Sequence, residues 1–160
     1  AIVFALILLA ATISGFVGGM ISDKTGRKPI VKIASMTIAV MCVILVFCRN
    51  LEQALIGGAI FGLGYGAYIS VDWALGTDVL PNKEDAGKDM ADWHVSMTLP
   101  QQIAPLIAGQ ALAQFAGQPI IEHGEKVQSY THSGYIVIFF FAAICFAASG
   151  LLIDKVKGAK

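Results

Sequence analysis

The sequence predicts an all-α fold, a polytopic membrane helix bundle of about five transmembrane helices, and three observations predict it. The first is composition: 56% of the 160 residues are hydrophobic and 14% charged, with a mean hydropathy of +0.72, too apolar for an ordinary soluble domain. The second is spacing. Charges cluster and leave uncharged stretches at 1–22, 33–48, 53–71, 93–121 and 127–153, the last two interrupted only by His94 and His132. A helix rises about 1.5 Å per residue and the hydrocarbon core is about 30 Å thick, so a span takes about 20 residues, which most of these stretches supply. The third is asymmetry. Lys24, Arg27, Lys28, Lys32, Lys83, Lys88, Lys155, Lys157 and Lys160 fall on one side, against Arg49 and Lys126 on the other. Cytoplasmic connections are enriched in such residues, so residue 1 is expected outside and residue 160 in the cytoplasm, with the plasma membrane as the expected location. A net charge of zero leaves no global electrostatic case for nucleic acid.

Taken in order, the helices are expected near 1–21, 29–48, 53–79, 93–116 and 134–153, with cytoplasmic loops 22–28 and 80–92, outer loops 49–52 and 117–133, and a cytoplasmic tail 154–160. The first could be mistaken for a secretory signal. It has no basic leading region and no initiator Met, and it runs into a Gly-rich helix end, so it is read as a span of a chain entered mid-protein. The second borrows its flanks to reach spanning length. Without a water-driven force between helices, small residues at every fourth position mark close backbone contact. Ala11, Gly15 and Gly19 form such a stripe on the first helix, Gly58, Gly62 and Gly66 on the third, and Gly109, Ala113 and Gly117 on the fourth.

The fourth helix also holds Pro100 and Pro105, each of which removes a backbone hydrogen bond and kinks it; shape alone and a bending point in a moving helix are both open readings. The polar segment 117–133 is read as a solvated loop in preference to a metal site at His123 and His132. Cys42, Cys48 and Cys145 lack metal or redox spacing and are read as small apolar packing residues.

Between the first two helices stands Gly19-Met20-Ile21-Ser22-Asp23-Lys24-Thr25-Gly26-Arg27-Lys28-Pro29. Asp23 near a helix end, with Arg27 and Lys28 on a tight turn opened by Gly26, suits charge-assisted bonds that hold two helices in one arrangement. Pro29 then begins the next helix where its missing N–H is harmless. This stretch resembles the signature loop of the major facilitator superfamily, G-x-x-x-D-[RK]-x-G-[RK]-[RK], at every defined position. In that family the motif lies on the cytoplasmic side after helix 2, and a weaker copy follows helix 8, in agreement with the charge asymmetry.

A second run, from Gly62 through Asp72 and Asp78 to Pro81 and on to Gly87-Lys88-Asp89-Met90, resembles the C-terminal half of sugar-carrier-like facilitators related to plant sucrose carriers and to glycoside/pentoside/hexuronide cation symporters. The spans then correspond to helices 8 to 12 or to helices 2 to 6. The basic tail and the Asp72 region favour the former. The resemblance implies a partial major facilitator domain over 1–160 whose partners are a small-molecule solute, the lipid bilayer and missing N-terminal helices of the same transporter.

Asp72 is the most informative single residue, because an ionisable group about six residues inside a membrane helix end is expensive and usually faces a partner or a water-filled path. Phe61, Tyr65, Tyr68 and Asp72 share one helix face, an aromatic and acidic stripe suited to stacking on a sugar and bonding its hydroxyls. A carboxyl there could bind and release a proton as the cavity alternates between wet and dry. The competing reading is a salt bridge or cap that fixes the third helix. Asp78 lies close to where Arg27 must be, and such pairs lock facilitators closed on one side. Gln101 and Gln102 beside the proline kink need partners, either a neighbouring helix or a substrate hydroxyl. Trp93 and His94 are read as interfacial.

No phosphate-cradling Gly-Lys-Ser/Thr motif is present, so no ATP-driven step is argued, and no cofactor or metal is expected. The expected function is secondary transport of a sugar or polyol with protons by alternating access. The alternatives are a carrier of a drug or organic ion, with Asp72 as the cation-binding acid, and a non-transporting membrane protein. An intramembrane enzyme would need a His, Ser or metal constellation at depth, which the sequence lacks.

Overall fold

A computed structural model describes residues 2–79, 86–117, 120–122, 125–127 and 129–156. The chain is a helix bundle in which α1 (Ile2–Thr25), α2 (Arg27–Val46), α3 (Leu51–Asp78), α4 (Ala86–Ala113) and α5 (His132–Leu152) follow one another, and a 3₁₀ turn (Ile153–Lys155) closes α5. Among the described residues, four helices are long and apolar enough to cross a membrane: Ile2–Thr25, Arg27–Val46, Leu51–Asp78 and, with its closing turn, His132–Lys155. The fourth expected span is a helix of 28 residues, about 42 Å long, but it stands outside that group. Lys88, Asp89 and Asp92 fill its first turns and Gln101 and Gln102 its middle, which dilutes its apolar run.

Several connections differ from the expected loops. In place of a loop at 22–28, α1 runs to Thr25 and α2 starts at Arg27, with Gly26 alone between them at φ 93°. A side chain rarely adopts that backbone, and glycine does so freely. The helix end needs no further residues, because the Gly26 N–H donates to the Ser22 carbonyl at 3.0 Å and the Thr25 hydroxyl to the Ile21 carbonyl at 2.9 Å. Pro29 sits inside the first turn of α2, where no intrahelical donor is lost. Of the expected loop 80–92, residues 86–92 are helical, with Asp89 in the first turn complementing the helix dipole.

The segment expected as a solvated loop at 117–133 carries a small antiparallel hairpin, β1 (Ile120–Glu122) against β2 (Glu125–Val127), in register Ile120↔Val127. An Ala116↔Tyr130 bridge extends it, and α5 itself begins at His132. Backbone pairing satisfies groups that an open loop would leave to water. His123, Lys83, Lys157 and Lys160 lie outside the described residues.

α3 is the centre of the packing: α1 and α2 lie against it, and α5 packs along α2, close enough for α3 side chains to reach it. One apolar cluster joins Val31, Val71, Leu75 and Ile153, and a second joins Ile38, Cys42 and Ala143. Large apolar side chains such as Phe4, Phe16, Phe47 and Phe141 point outward, the arrangement expected where the surrounding solvent is hydrocarbon. α4 stands apart, touching α3 near its start and α5 near its end.

Candidate functional site

The frame of the site is the seam between α1 and α3. A side chain at Gly66 would collide with the backbone of Ala11, and one at Gly62 would stand 2.5 Å from the Ile7 carbonyl. From the opposite helix, a Cβ on Gly15 would come to 3.3 Å from the Gly66 carbonyl, and one on Gly19 to 3.4 Å from the Ser70 hydroxyl. The two stripes read from the sequence therefore face each other, and the Ser14 hydroxyl donates across the seam to the Leu63 carbonyl. Close approach of backbones replaces side-chain interdigitation here. The third stripe is not matched in this way: a Cβ on Gly109 would meet nothing within 4 Å, and Gly117 lies beyond the end of α4, its N–H donating to the Ser129 carbonyl at 2.8 Å. Small residues permit close contact, but a partner helix has to supply it.

At one end of this frame the basic turn is tied to α3. The Arg27 guanidinium bonds the Asp78 carboxylate through Nε, and its Nη2 lies 3.9 Å from Asp23 Oδ1 one turn earlier. Arg27 keeps 21% of its side-chain exposure and Asp78 43%, so the pair is only partly screened by water. Lys24 is exposed at the end of α1 and Lys28 is half-buried. A second ion pair, Lys32 with Asp154, joins α2 to the turn after α5, where Ile153 enters the first apolar cluster. These partners stand 122 positions apart, and no local pattern in the sequence pairs them.

The aromatic and acidic stripe of α3 divides. Phe61 and Tyr65 stack with ring centres 6.0 Å apart, and Tyr65 is exposed over a shallow groove with Leu8, Thr12 and Phe16 of α1. Tyr68 turns the other way. Its ring meets Phe146 edge-on at 5.8 Å, its hydroxyl is 3.4 Å from that of Ser149, and both apolar clusters pack against it. Asp72 is half-buried, with no hydrogen-bond or ion-pair partner among the described residues.

The start of α4 closes over this part of α3. Trp93 lies on Gly76, where a Cβ would be 2.9 Å from the indole Cε2, and His94 meets Trp73 at 4.9 Å. These two residues, expected at the membrane interface, make a helix-helix contact, because Gly76 leaves room for a flat ring. Gln101 and Gln102, further along α4, are exposed and unpartnered among the described residues, and so are not brought to Asp72. Among the described residues no group of His, Cys, Asp and Glu could hold a metal.

A carboxyl within a membrane helix with no countercharge among the described residues is expected of proteins that pass a solute or an ion through the bilayer. The chain belongs to the Major Facilitator Superfamily, whose family model matches residues 1–160; members of that family are transporters and not enzymes. Over 78 residues it is 30% identical to the minor myo-inositol transporter IolF of Bacillus subtilis (strain 168), a stretch that covers 49% of this chain and 18% of that protein.

Proposed function

We propose that this chain forms helices 8 to 12, in the C-terminal half, of a sugar-carrier-like secondary transporter of the plasma membrane that moves a sugar or polyol together with protons by alternating access. Asp72 is the observation that carries this reading: a carboxyl inside α3, unpartnered among the described residues and next to the Tyr68 layer of the same helix. Without a countercharge it is free to take a proton when its surroundings dry and to lose it when they wet. Tyr65, exposed and stacked on Phe61, offers an aromatic face of the kind that sugar rings lie on. The partial likeness to an inositol transporter supports the polyol class. Gln101 and Gln102 would join the pathway from the α4 side, and the missing N-terminal helices would close it. The Arg27–Asp78 pair, with Asp23, would hold the cytoplasmic side shut, as expected with residue 160 in the cytoplasm.

The test is proton-coupled uptake of myo-inositol and a small sugar panel by the full-length carrier in liposomes, comparing the parent with Asp72→Asn. Solute-dependent proton entry in the parent that vanishes in the variant is the expected result. Equal proton flux in the two would assign Asp72 to structure, and transport of organic cations in place of polyols would replace the substrate class.

A further inference from the structure

Two buried polar atoms have no hydrogen-bond partner among the described residues, the Trp93 indole Nε1 and Asp89 Oδ2. They are four positions apart and so share one face of α4. That face is the one laid on α3, since the Trp93 ring rests on Gly76. Gly76 is in turn one helical turn beyond Asp72, whose half-buried carboxyl has no hydrogen-bond or ion-pair partner among the described residues. A buried donor left unmade is costly, as is a buried carboxylate oxygen, and both usually find partners in a finished structure. Two orphaned buried atoms at this crossing, one donor and one acceptor, with the half-buried Asp72 carboxyl one turn along α3, are complementary to a hydroxylated ligand.

We infer that the Trp93 indole N–H and the Asp72 carboxyl are donor and acceptor of one hydroxyl-binding site at the crossing of α3 and α4, with Asp89 as a further acceptor, for a neutral polyhydroxylated solute. This rests on the polyol reading above and adds to it α4's side of the site. One hydroxyl accepts from Trp93 and donates to Asp72, and a neighbouring one donates to Asp89. At the crossing the Trp93 indole nitrogen and Asp89 Oδ2 are covered. Opening the crossing requires α4 to lift from α3, to which it is attached chiefly by Trp93 on Gly76 and His94 on Trp73. Pro100 and Pro105 lie just beyond these contacts and interrupt the backbone bonding that would stiffen the helix.

The experiment measures myo-inositol uptake by the full-length carrier and by Trp93→Phe, which keeps the flat ring over Gly76 and removes the N–H. A KM raised about tenfold or more with kcat little changed is expected, as for a site that loses a bond to a substrate hydroxyl. The thermal midpoint should stay at or above the parent's, because the variant deletes an unsatisfied buried donor. Gly76→Ala serves as a second variant, since its methyl would press on the indole and displace an intact N–H, and it should raise KM as well. An unchanged KM in Trp93→Phe, alongside normal uptake by the parent, would overturn this site and leave the polyol reading intact. A lower midpoint shared by Trp93→Phe and Asp89→Asn with KM unmoved would show that the two serve each other, and would also overturn it. A parent that takes up no polyol would overturn both.

Discussion

Two contacts of α3 could hardly differ more. Against α1 it presents Gly58, Gly62 and Gly66, and at Gly62 and Gly66 the two backbones close to a distance that leaves no room for a methyl group. Against α4 it presents Gly76 and Trp73, which receive one flat indole and one imidazole edge. The first seam runs along most of a helix and has no polar atom to spare. The second is short and leaves a donor and a carboxylate oxygen unmatched. A long backbone-to-backbone seam has one good arrangement, because any sliding opens voids or clashes. A short aromatic contact with unmet polar groups can be exchanged for another at little cost. The contrast separates a frame, made of α1, α2, α3 and α5, from a loosely attached element, α4.

Breaking the frame should have the largest effect. Gly66→Ala puts a methyl into the Ala11 backbone, and since neither helix can yield locally the loss should be at least about 3 kcal/mol; folded yield and thermal midpoint of the full-length carrier in detergent would register it. A midpoint within error of the parent's would mean that the seam is loose and that the contrast fails. Next in size is Asp78→Ala, which leaves a largely covered guanidinium with Asp23 alone at 3.9 Å. A cost of about 1 to 2 kcal/mol is expected. Labelling of a Ser22→Cys reporter, at a position now 2% exposed, should quicken from the side of the membrane that holds the Arg27–Asp78 pair, and an unchanged rate would deprive the pair of any role in closing that face.

Gly109→Ala is the counterpart on α4. With nothing within 4 Å of the new methyl, the helix should gain up to about 1 kcal/mol from restricted backbone freedom; a loss instead would mean that α4 has a close partner at that stripe in the whole carrier. Smallest is Lys32→Ala, which removes a pair with both partners well exposed. It should cost under about 1 kcal/mol and fade with added salt.

Much of the frame was legible from the residues. The helix end in the basic motif and the tight turn at Gly26 read directly from the residues, because each rests on chemistry within a few positions, but the break is shorter than expected: α1 runs to Thr25 and α2 restarts at Arg27 in place of Pro29. The stripes on α1 and α3 were legible for the same reason. Their mutual pairing was not: of the similar stripe expected on the fourth helix, Gly109 meets nothing within 4 Å and Gly117 lies beyond the helix end beside Ser129. A one-dimensional stripe says that a helix can be approached closely, never by which neighbour.

The candidate site divides along the same line. The depth of Asp72 and the aromatic spacing before it follow from position alone. That Tyr68 turns towards Phe146 and Ser149 while Tyr65 stays open depends on α5 packing across α2, which no local pattern announces. Trp93 shows the gap most clearly. In sequence it is an aromatic residue at a helix start beside charges, the usual mark of a membrane interface; in space it is a lid on Gly76.

By itself, then, the sequence determined the solvent, the helices and the places where backbones can come close, since apolar length, charge asymmetry and glycine spacing act within one helix. The tertiary structure alone decided which small-residue faces meet, that Lys32 reaches Asp154, and that Trp93 covers the turn next to Asp72. Those outcomes depend on relative placement of helices, to which residues more than a hundred positions apart contribute equally.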